Sequence, residues 1–340
     1  MTKKKEKYVA WQRNELNQNS MGGTEQMAEG LLSRLDPELT KHFQIITSRV
    51  RELREDKIRI YWVHDLPGDP ETEHLKDAKL RARFHKTVFC GHWQMNAYQM
   101  THGVPHDTKS TVIETAIVPF PHVTKPNDGI IRFVYTSTPQ RGLELLVPVF
   151  EELCKHHDNL QLDVFSSFKI YGWEQRDADY EPLYERCRQH PNINYHGFAS
   201  NEVVRQTVQD AHIFAYPSIW MECNSRSLIE AMSAGCLCIH PNYAGLADTA
   251  GGLTAQYQWD GNRNINATVF YGMMNEAIST VNEENMQNYL KFVKMYADQR
   301  YNWTKITAQW TNLMQGLLRE TEGKSLALPK EVITFNTGVR

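Results

Sequence analysis

The residues best suited to chemistry lie in one stretch, YPSIWMECNSRSLIEAMSAG, at positions 216–235. The pattern predicts a strand that ends at Tyr216, a polar loop, and a helix that is capped by Asn224 or Ser225 and runs to about Ala234. The first N–H groups of a helix have no partner within it and carry the positive end of the helix dipole. The sequence therefore predicts a phosphate-binding site at the start of this helix.

Charged side chains surround that helix start. Arg226 adds a positive charge beside the N–H groups of Ser225 and Ser227, Glu222 lies in the loop before the helix, and Glu230 lies about a turn and a half inside it. Carboxylates on both sides of a phosphate site suit a ligand with hydroxyl groups on both sides of a diphosphate, as in a nucleotide sugar. A capped helix with two surface glutamates explains the spacing equally well.

Three further loops carry candidate residues. Arg141 stands just before a helix that starts at Gly142, where it can pair with diphosphate oxygens. Gly22 and Gly23 open a helix and allow a close backbone approach to a ligand, although the third glycine of G-x-G-x-x-G is missing. His64 follows a strand and can hydrogen-bond a sugar hydroxyl or polarise a reacting group. Each feature also has a purely structural explanation. Arg141 can be a solvated cap residue, the two glycines can form a tight turn, and His64 can be a structural histidine.

Short apolar runs alternate with amphipathic stretches along the chain, which is typical of α/β proteins with parallel sheets. The stretch 119–129, PFPHVTKPNDG, predicts a linker. We expect an N-terminal domain over 1–125, a second domain over 126–305, and a C-terminal helix that packs back toward the first domain, with a tail, over 306–340. Two such domains, each with a Rossmann-like fold, place a ligand in the cleft between them.

The expected elements follow from the same alternation. Helices are expected from Gly23, over 142–154, 178–190, 201–210 and 225–234, and between 265 and 320. The expected strands are Tyr8–Trp11, Phe43–Thr47, Ile58–Val63, Thr87–Cys90, Thr111–Ile113, Ile131–Thr136, Leu160–Phe165, Ile193–His196, Ile213–Tyr216 and Leu237–His240.

Composition narrows the function classes. The chain has 340 residues, enough for about two domains, and a net charge of −3, which does not indicate a polyanion partner. It has no apolar run near the roughly 20 residues that cross a bilayer, and its basic start lacks the apolar stretch of a signal peptide. The 6 cysteines form no C-x-x-C pair and the histidines show no metal-ligand spacing. We therefore expect a cytoplasmic protein without a metal.

Basic residues gather in the first domain, at Arg49–Arg59 and at Lys76–Lys86. In the second segment Lys76, Lys79, Arg83 and Lys86 recur at steps of three and four residues, which gives one cationic face if the segment is helical. A solvated helix is the commoner explanation. The alternative is contact with an anionic acceptor, a membrane surface or DNA.

Taken together and in this order, the motifs resemble the retaining glycosyltransferases of the GT-B fold, in glycosyltransferase family four (glycosyl transferases group 1). The Glu-x7-Glu pattern of that family matches Glu222 and Glu230. The remaining matches are Gly22–Glu25, His64–Pro67, Trp93–Gln94, Gly103–Pro105, Arg141–Leu143, His196–Phe198 and Tyr301–Trp303.

The resemblance implies roles for these residues. Glu222 would hold the hydroxyls of the donor sugar, Glu230 the ribose, and Arg141 with the N–H groups of 225–227 the diphosphate. The donor would be a UDP- or GDP-linked sugar, transferred with retention of configuration and without a metal. Glu222, Arg141 and His64 would then serve catalysis.

The other residues that the resemblance marks as donor-binding are Gly22, Gly23, Phe198 and Asn224, with Phe198 beside the base and Gly23 near the reacting centre. The chain also departs from the family. Many relatives have a first basic residue where this chain has Thr136, so that one phosphate partner is absent unless Arg226 replaces it.

Three functions fit the sequence. The first is transfer of a sugar to a glycan, a lipid carrier or a small molecule, the second is transfer to a modified base in DNA, and the third is binding of a nucleotide sugar without catalysis.

Overall fold

The computed structural model describes residues 8–12, 20–122 and 124–329. It contains two parallel β-sheets. The first has the strand order β1-β2-β3-β4 and consists of β1 (Phe43–Thr47), β2 (Ile58–Val63), β3 (Lys86–Phe89) and β4 (Ser110–Val112).

The second sheet has the order β10-β9-β8-β5-β6-β7. Its strands are β5 (Ile131–Thr136), β6 (Leu160–Phe165), β7 (Ile193–Tyr195), β8 (Ile213–Ala215), β9 (Leu237–Pro241) and β10 (Ala255–Tyr257). The chain starts in the middle, moves to one edge, returns to β8 beside β5 and then moves to the other edge. This is the doubly wound order, in which ligands bind at the carboxyl ends of the two central strands. Here those strands are β5 and β8.

Helices connect the strands and cover the sheets. They are α1 (Gly23–Leu32), α2 (Pro37–Thr40), α3 (Ala78–Arg81), α4 (His92–His102), α5 (Leu143–Leu153), α6 (Glu181–Gln189), α7 (Asn201–Asp210), α8 (Arg226–Ser233), α9 (Gly245–Ala250), α10 (Arg263–Thr280), α11 (Glu284–Arg300) and α12 (Trp303–Thr321). Short 3-10 helices cover Pro70–Lys76, Pro139–Arg141, Phe168–Tyr171 and Glu174–Tyr180.

The last helix belongs to the core of the first domain. One face of the first sheet is covered by α1 and α12, and the rings of Trp62 and Trp310 meet with their centroids 4.8 Å apart. The other face packs on α4 and on the 3-10 helix Pro70–Lys76. Because both faces are buried, the strands consist of nearly continuous apolar runs, as parallel strands do.

Most of the expected elements form, but one expected strand does not. Tyr8–Trp11 is no strand, since Trp11 makes a single bridge to Ile45. The segment Lys76–Lys86 is not one continuous helix. Asp77 is extended between the 3-10 helix and α3, and Lys86 lies on β3, so the four cations do not share a helix face.

Strand β10 has the sequence AQY and was not expected, because it carries no apolar run. The domain boundaries at 125 and 305 stay a prediction. The part of the expected tail beyond residue 329 lies outside the described residues.

Candidate active site

The loops that follow β5 and β8 meet at the centre of the second sheet. Gly142 has φ +122°, and a β-carbon there would overlap the carbonyl oxygen of Pro217. Only glycine allows this backbone conformation and this close approach. The contact brings Arg141 from the first loop next to Glu222 from the second.

Glu222 is held by two neighbours. Its Oε1 accepts hydrogen bonds from Nη1 of Arg141 and from the Tyr216 hydroxyl, both at 2.5 Å. Glu222 is only 7 % exposed, and burial together with the Glu222 charge raises the pKa of Tyr216, which therefore donates. The arrangement fixes a carboxylate at the carboxyl ends of β5 and β8, where a ligand of a doubly wound sheet binds.

Arg141 has one hydrogen-bond donor that is still free to bind a ligand. Burial acts to lower its pKa, but Glu222 and two tyrosines outweigh this and raise the pKa above the ordinary arginine value. Its Nε is buried and has no hydrogen-bond partner among the described residues. A buried donor without a partner is costly, so a ligand oxygen that accepts from this nitrogen would be bound favourably.

The start of α8 is partly open. The Ser225 N–H donates to the Thr249 hydroxyl at 3.2 Å, and the Ser227 hydroxyl donates to the carbonyl of Thr136 at 3.0 Å. Within the described part of the chain, the backbone N–H groups of Arg226 and Ser227 have no acceptor. The helix thus presents two unsatisfied N–H groups at the carboxyl end of β5.

Arg226 and Glu230 form an ion pair on α8. Nε of Arg226 lies 3.1 Å from Oε1 of Glu230, and Arg205 lies 3.9 Å from the same oxygen. Arg226 also donates to the side chain of Gln26 on α1, across the gap between the domains. The two charges that the sequence assigned to phosphate and ribose therefore partner each other in this structure.

The glycine loop of the first domain faces the second domain. Met21 donates its N–H to the carbonyl of Ile170 at 2.8 Å, and a β-carbon on Gly22 would lie 2.6 Å from the ring of Tyr171. A side chain at residue 22 would therefore displace the Tyr171 ring from this contact between the domains. A β-carbon on Gly23, by contrast, would meet no other part of the structure within 4 Å.

His64 lies at the end of β2 on the same gap. Its backbone carbonyl lies 3.6 Å from Sγ of Cys223, the neighbour of Glu222. Burial lowers the pKa of the His64 ring to about 3, so the ring is neutral at physiological pH. Its Nε2 is buried and without a hydrogen-bond partner among the described residues.

Asn224 connects the domains. Its Oδ1 accepts from the N–H of Thr115 in the first domain, and its Nδ2 donates to Thr249 in the second, both at 3.1 Å. Phe198, by contrast, is 41 % exposed, in the loop after β7.

Asp248 was missed by the sequence analysis. Its Oδ2 accepts from the N–H groups of His92 and Trp93 at the start of α4. Arg300 pairs with Glu114 of the first domain and lies 3.7 Å from Asp248. No local signal marks such a cap, because the residues that meet are distant in sequence.

The described residues contain no group of three or more His, Cys, Asp and Glu side chains that could hold a metal ion. No helix in this part of the chain is long and apolar enough to cross a bilayer.

Two α/β domains with parallel sheets, and a candidate site at the carboxyl ends of the central strands of the second, form the GT-B fold. Solved structures share this fold. A glycosyltransferase from Rickettsia africae has a TM-score of 0.64 and 15% identity over 90% of this chain and 84% of its own. HepE of Anabaena in complex with UDP and glucose has a TM-score of 0.58 and 16% identity over 76% and 72%. Sucrose-phosphate synthase from Thermosynechococcus elongatus has a TM-score of 0.60 and 15% identity over 86% and 72%.

The sequence gives a second comparison. Residues 116–267, a little under half of the chain, match the family model described as Glycosyl transferases group 1. A search of curated proteins found no match. The GT-B fold and the glycosyltransferase class that the motifs implied are thereby confirmed.

Proposed function

We propose that the protein transfers a sugar, with retention of configuration and without a metal ion, from a UDP- or GDP-linked donor to a glycan, lipid carrier or small-molecule acceptor. The observation that carries the proposal is the meeting of Arg141 and Glu222 beside the open N–H groups of α8. UDP is favoured as the nucleotide because HepE of Anabaena was solved with UDP and glucose.

The diphosphate is proposed to bind at the start of α8. Its oxygens would accept hydrogen bonds from the backbone N–H groups of Arg226 and Ser227 and from Nε of Arg141. As the bond to the sugar breaks, the leaving diphosphate gains negative charge, and fixed donors aimed at that charge stabilise the transition state. Because these donors are already positioned, little reorganisation is needed.

The sugar and the nucleoside are proposed to lie on either side of the diphosphate. Oε1 of Glu222 is already held by Arg141 and Tyr216, so Oε2 would accept hydrogen bonds from the sugar hydroxyls. The neutral ring of His64 would hydrogen-bond the sugar from the first domain, and Gly23, which carries no side chain, would allow a close backbone approach to the reacting centre. Glu230 would give up part of its ion pair with Arg226 and accept hydrogen bonds from the ribose hydroxyls instead. The exposed ring of Phe198 would lie beside the base. Gly22 and Asn224 are proposed to contribute indirectly, by holding the domains together.

The protein is further proposed to act in the cytoplasm, since all six cysteines are free thiols. DNA as acceptor gains no support, because the cationic helix face that suggested it is not formed.

The test is release of nucleoside diphosphate from UDP-glucose and GDP-mannose, with Arg141→Ala and Glu230→Ala as variants. Arg141→Ala removes a transition-state donor and should lower turnover by about 10²–10³-fold. Glu230→Ala should lower turnover at donor concentrations below saturation, because it weakens the binding of the ribose. The matched control is Arg132→Ala. Arg132 lies on β5, the strand before the loop that carries Arg141, and is paired with Asp128, so turnover should be kept. Unchanged turnover in both site variants would contradict the proposal.

A further inference from the structure

The two basic segments of the first domain meet in the folded chain. A cavity of about 430 Å³ lies between the loop after β1, the 3-10 helix Pro70–Lys76 and Arg83. None of the residues placed at the candidate active site lines it. Its volume lies within the range of small-molecule binding sites.

The charge in this cavity is unbalanced. Arg51, Arg83 and Glu71 line it, but Oε1 of Glu71 is paired at 3.1 Å with Nε of Arg49. Arg83 donates from Nε to the carbonyl of Leu80, and neither Arg51 nor Arg83 has a carboxylate partner in the described part of the chain. Two guanidinium groups are therefore available to an anion.

The remaining lining is apolar or neutral. Val50, Leu53 and Leu328 contribute aliphatic surface. The ring of His74 packs edge-on against Tyr61, at 4.9 Å between centroids. Burial lowers the pKa of His74, so that its ring supplies shape and no charge at neutral pH. The positive charge thus lies beside surface that suits the carbon skeleton of a ligand.

We propose that this cavity binds a phosphate monoester, separately from the nucleotide-sugar site. The planar guanidinium groups of Arg51 and Arg83 each donate two parallel hydrogen bonds to phosphate oxygens. Arginine fits this bidentate geometry better than lysine does. The organic part of the ligand lies against Val50, His74 and Leu328. A soluble sugar phosphate and the phosphate headgroup of a lipid present the same group, and the site does not depend on the proposed transfer reaction.

The experiment measures binding of the full chain in two arms. Calorimetry with glucose 1-phosphate tests a soluble ligand, and co-sedimentation with phosphatidylcholine vesicles with and without phosphatidic acid tests a lipid one. The variant that lacks both arginines, Arg51→Ala with Arg83→Ala, should bind roughly 10- to 100-fold more weakly, since it loses charge-assisted hydrogen bonds. Glu71→Gln should bind severalfold more tightly than wild type because a negative charge is removed.

Two controls make the outcome decisive. Lys79→Ala removes the same charge from an exposed side chain outside the cavity and should bind as the wild type does. Arg141→Ala should also bind normally, which separates this cavity from the diphosphate site. If the double variant fails to fold, binding is measured with Arg51→Ala alone, because Arg51 is exposed and its loss should not disturb the fold. Binding in either arm that depends on the arginines supports the proposal and identifies the source of the phosphate. Absence of binding in both arms, or equal binding by the arginine variants, overturns it.

Discussion

Asp248 of the second domain caps helix α4 of the first at His92. The His92 N–H donates to Oδ2 of Asp248 at 2.8 Å, and the next N–H, of Trp93, donates to the same oxygen at 3.2 Å. The residue at the cap position, Gly91, has no side chain to do this. The start of α4 is therefore satisfied only when the two domains are in contact.

We expect Asp248→Ala to lower the free energy of unfolding by about 1–2 kcal/mol, the usual effect of losing a helix cap. Hydrogen exchange at His92 and Trp93 should become faster. Urea denaturation and exchange measured by NMR check this. The control is Asp36→Ala, which removes a cap confined to α2 and should leave exchange at His92 unchanged. Unaltered exchange in the Asp248 variant would show that the cap is not needed.

Gly142→Ala should be among the most destabilising single substitutions. The new β-carbon would overlap the Pro217 carbonyl in addition to adopting an unfavourable φ, so we expect a loss of about 3 kcal/mol or more. Gly235 has φ +74° but free space around it, and Gly235→Ala should lose only about 1–2 kcal/mol. Chemical denaturation measures both, and equal losses would mean that the two loops can move apart.

Trp310→Ala tests the attachment of α12 to the first sheet. Trp310 is fully buried, and truncation of a buried aromatic side chain costs about 3–5 kcal/mol. The loss should appear as faster exchange in β1–β4. Trp220 is 43 % exposed, and Trp220→Ala should change stability by less than about 1 kcal/mol. Slow exchange in the first sheet of the Trp310 variant would contradict this prediction.

His240 predicts a loss of stability in acid. Burial lowers its pKa from 6.5 to about 4 in the folded state. Between these values the unfolded chain binds more protons than the folded one, so stability rises with pH and is fully present only above pH 6.5. The contribution is about 1.4 kcal/mol for each pH unit. Denaturation curves at pH 7 and pH 5 should show a smaller difference in His240→Asn than in the wild type. An identical difference would mean that His240 does not titrate in this range.

The parts of the fold that follow a local pattern could be predicted. Strands such as Ile58–Val63 are buried on both faces and therefore appear as apolar runs. The loop that follows β8 could be recognised because a polar segment separates a strand from a capped helix. By contrast, Tyr8–Trp11 has the composition of a strand, but Trp11 makes only one bridge. Strand β10 lacks any apolar signal and depends on its neighbour β9.

The candidate site divides in the same way. Arg141 and Glu222 were found because each follows a strand, but the sequence could not show that they would pair with each other, since this depends on the order of β5 and β8 in the sheet. The cap by Asp248 and the meeting of Arg51 with Arg83 also depend on segments that only the fold brings together. Tertiary contacts of this kind leave no periodicity in the sequence.

The position of α12 has a consequence for biosynthesis. The sheet that α12 covers is complete once Val112 has left the ribosome, but its partner helix ends at Thr321. At about 5–20 residues per second, the intervening roughly 200 residues take on the order of 10–40 s to translate. During that interval the nascent chain exposes the apolar face around Trp62, and a chaperone that shields such surfaces has time to bind before the last helix arrives.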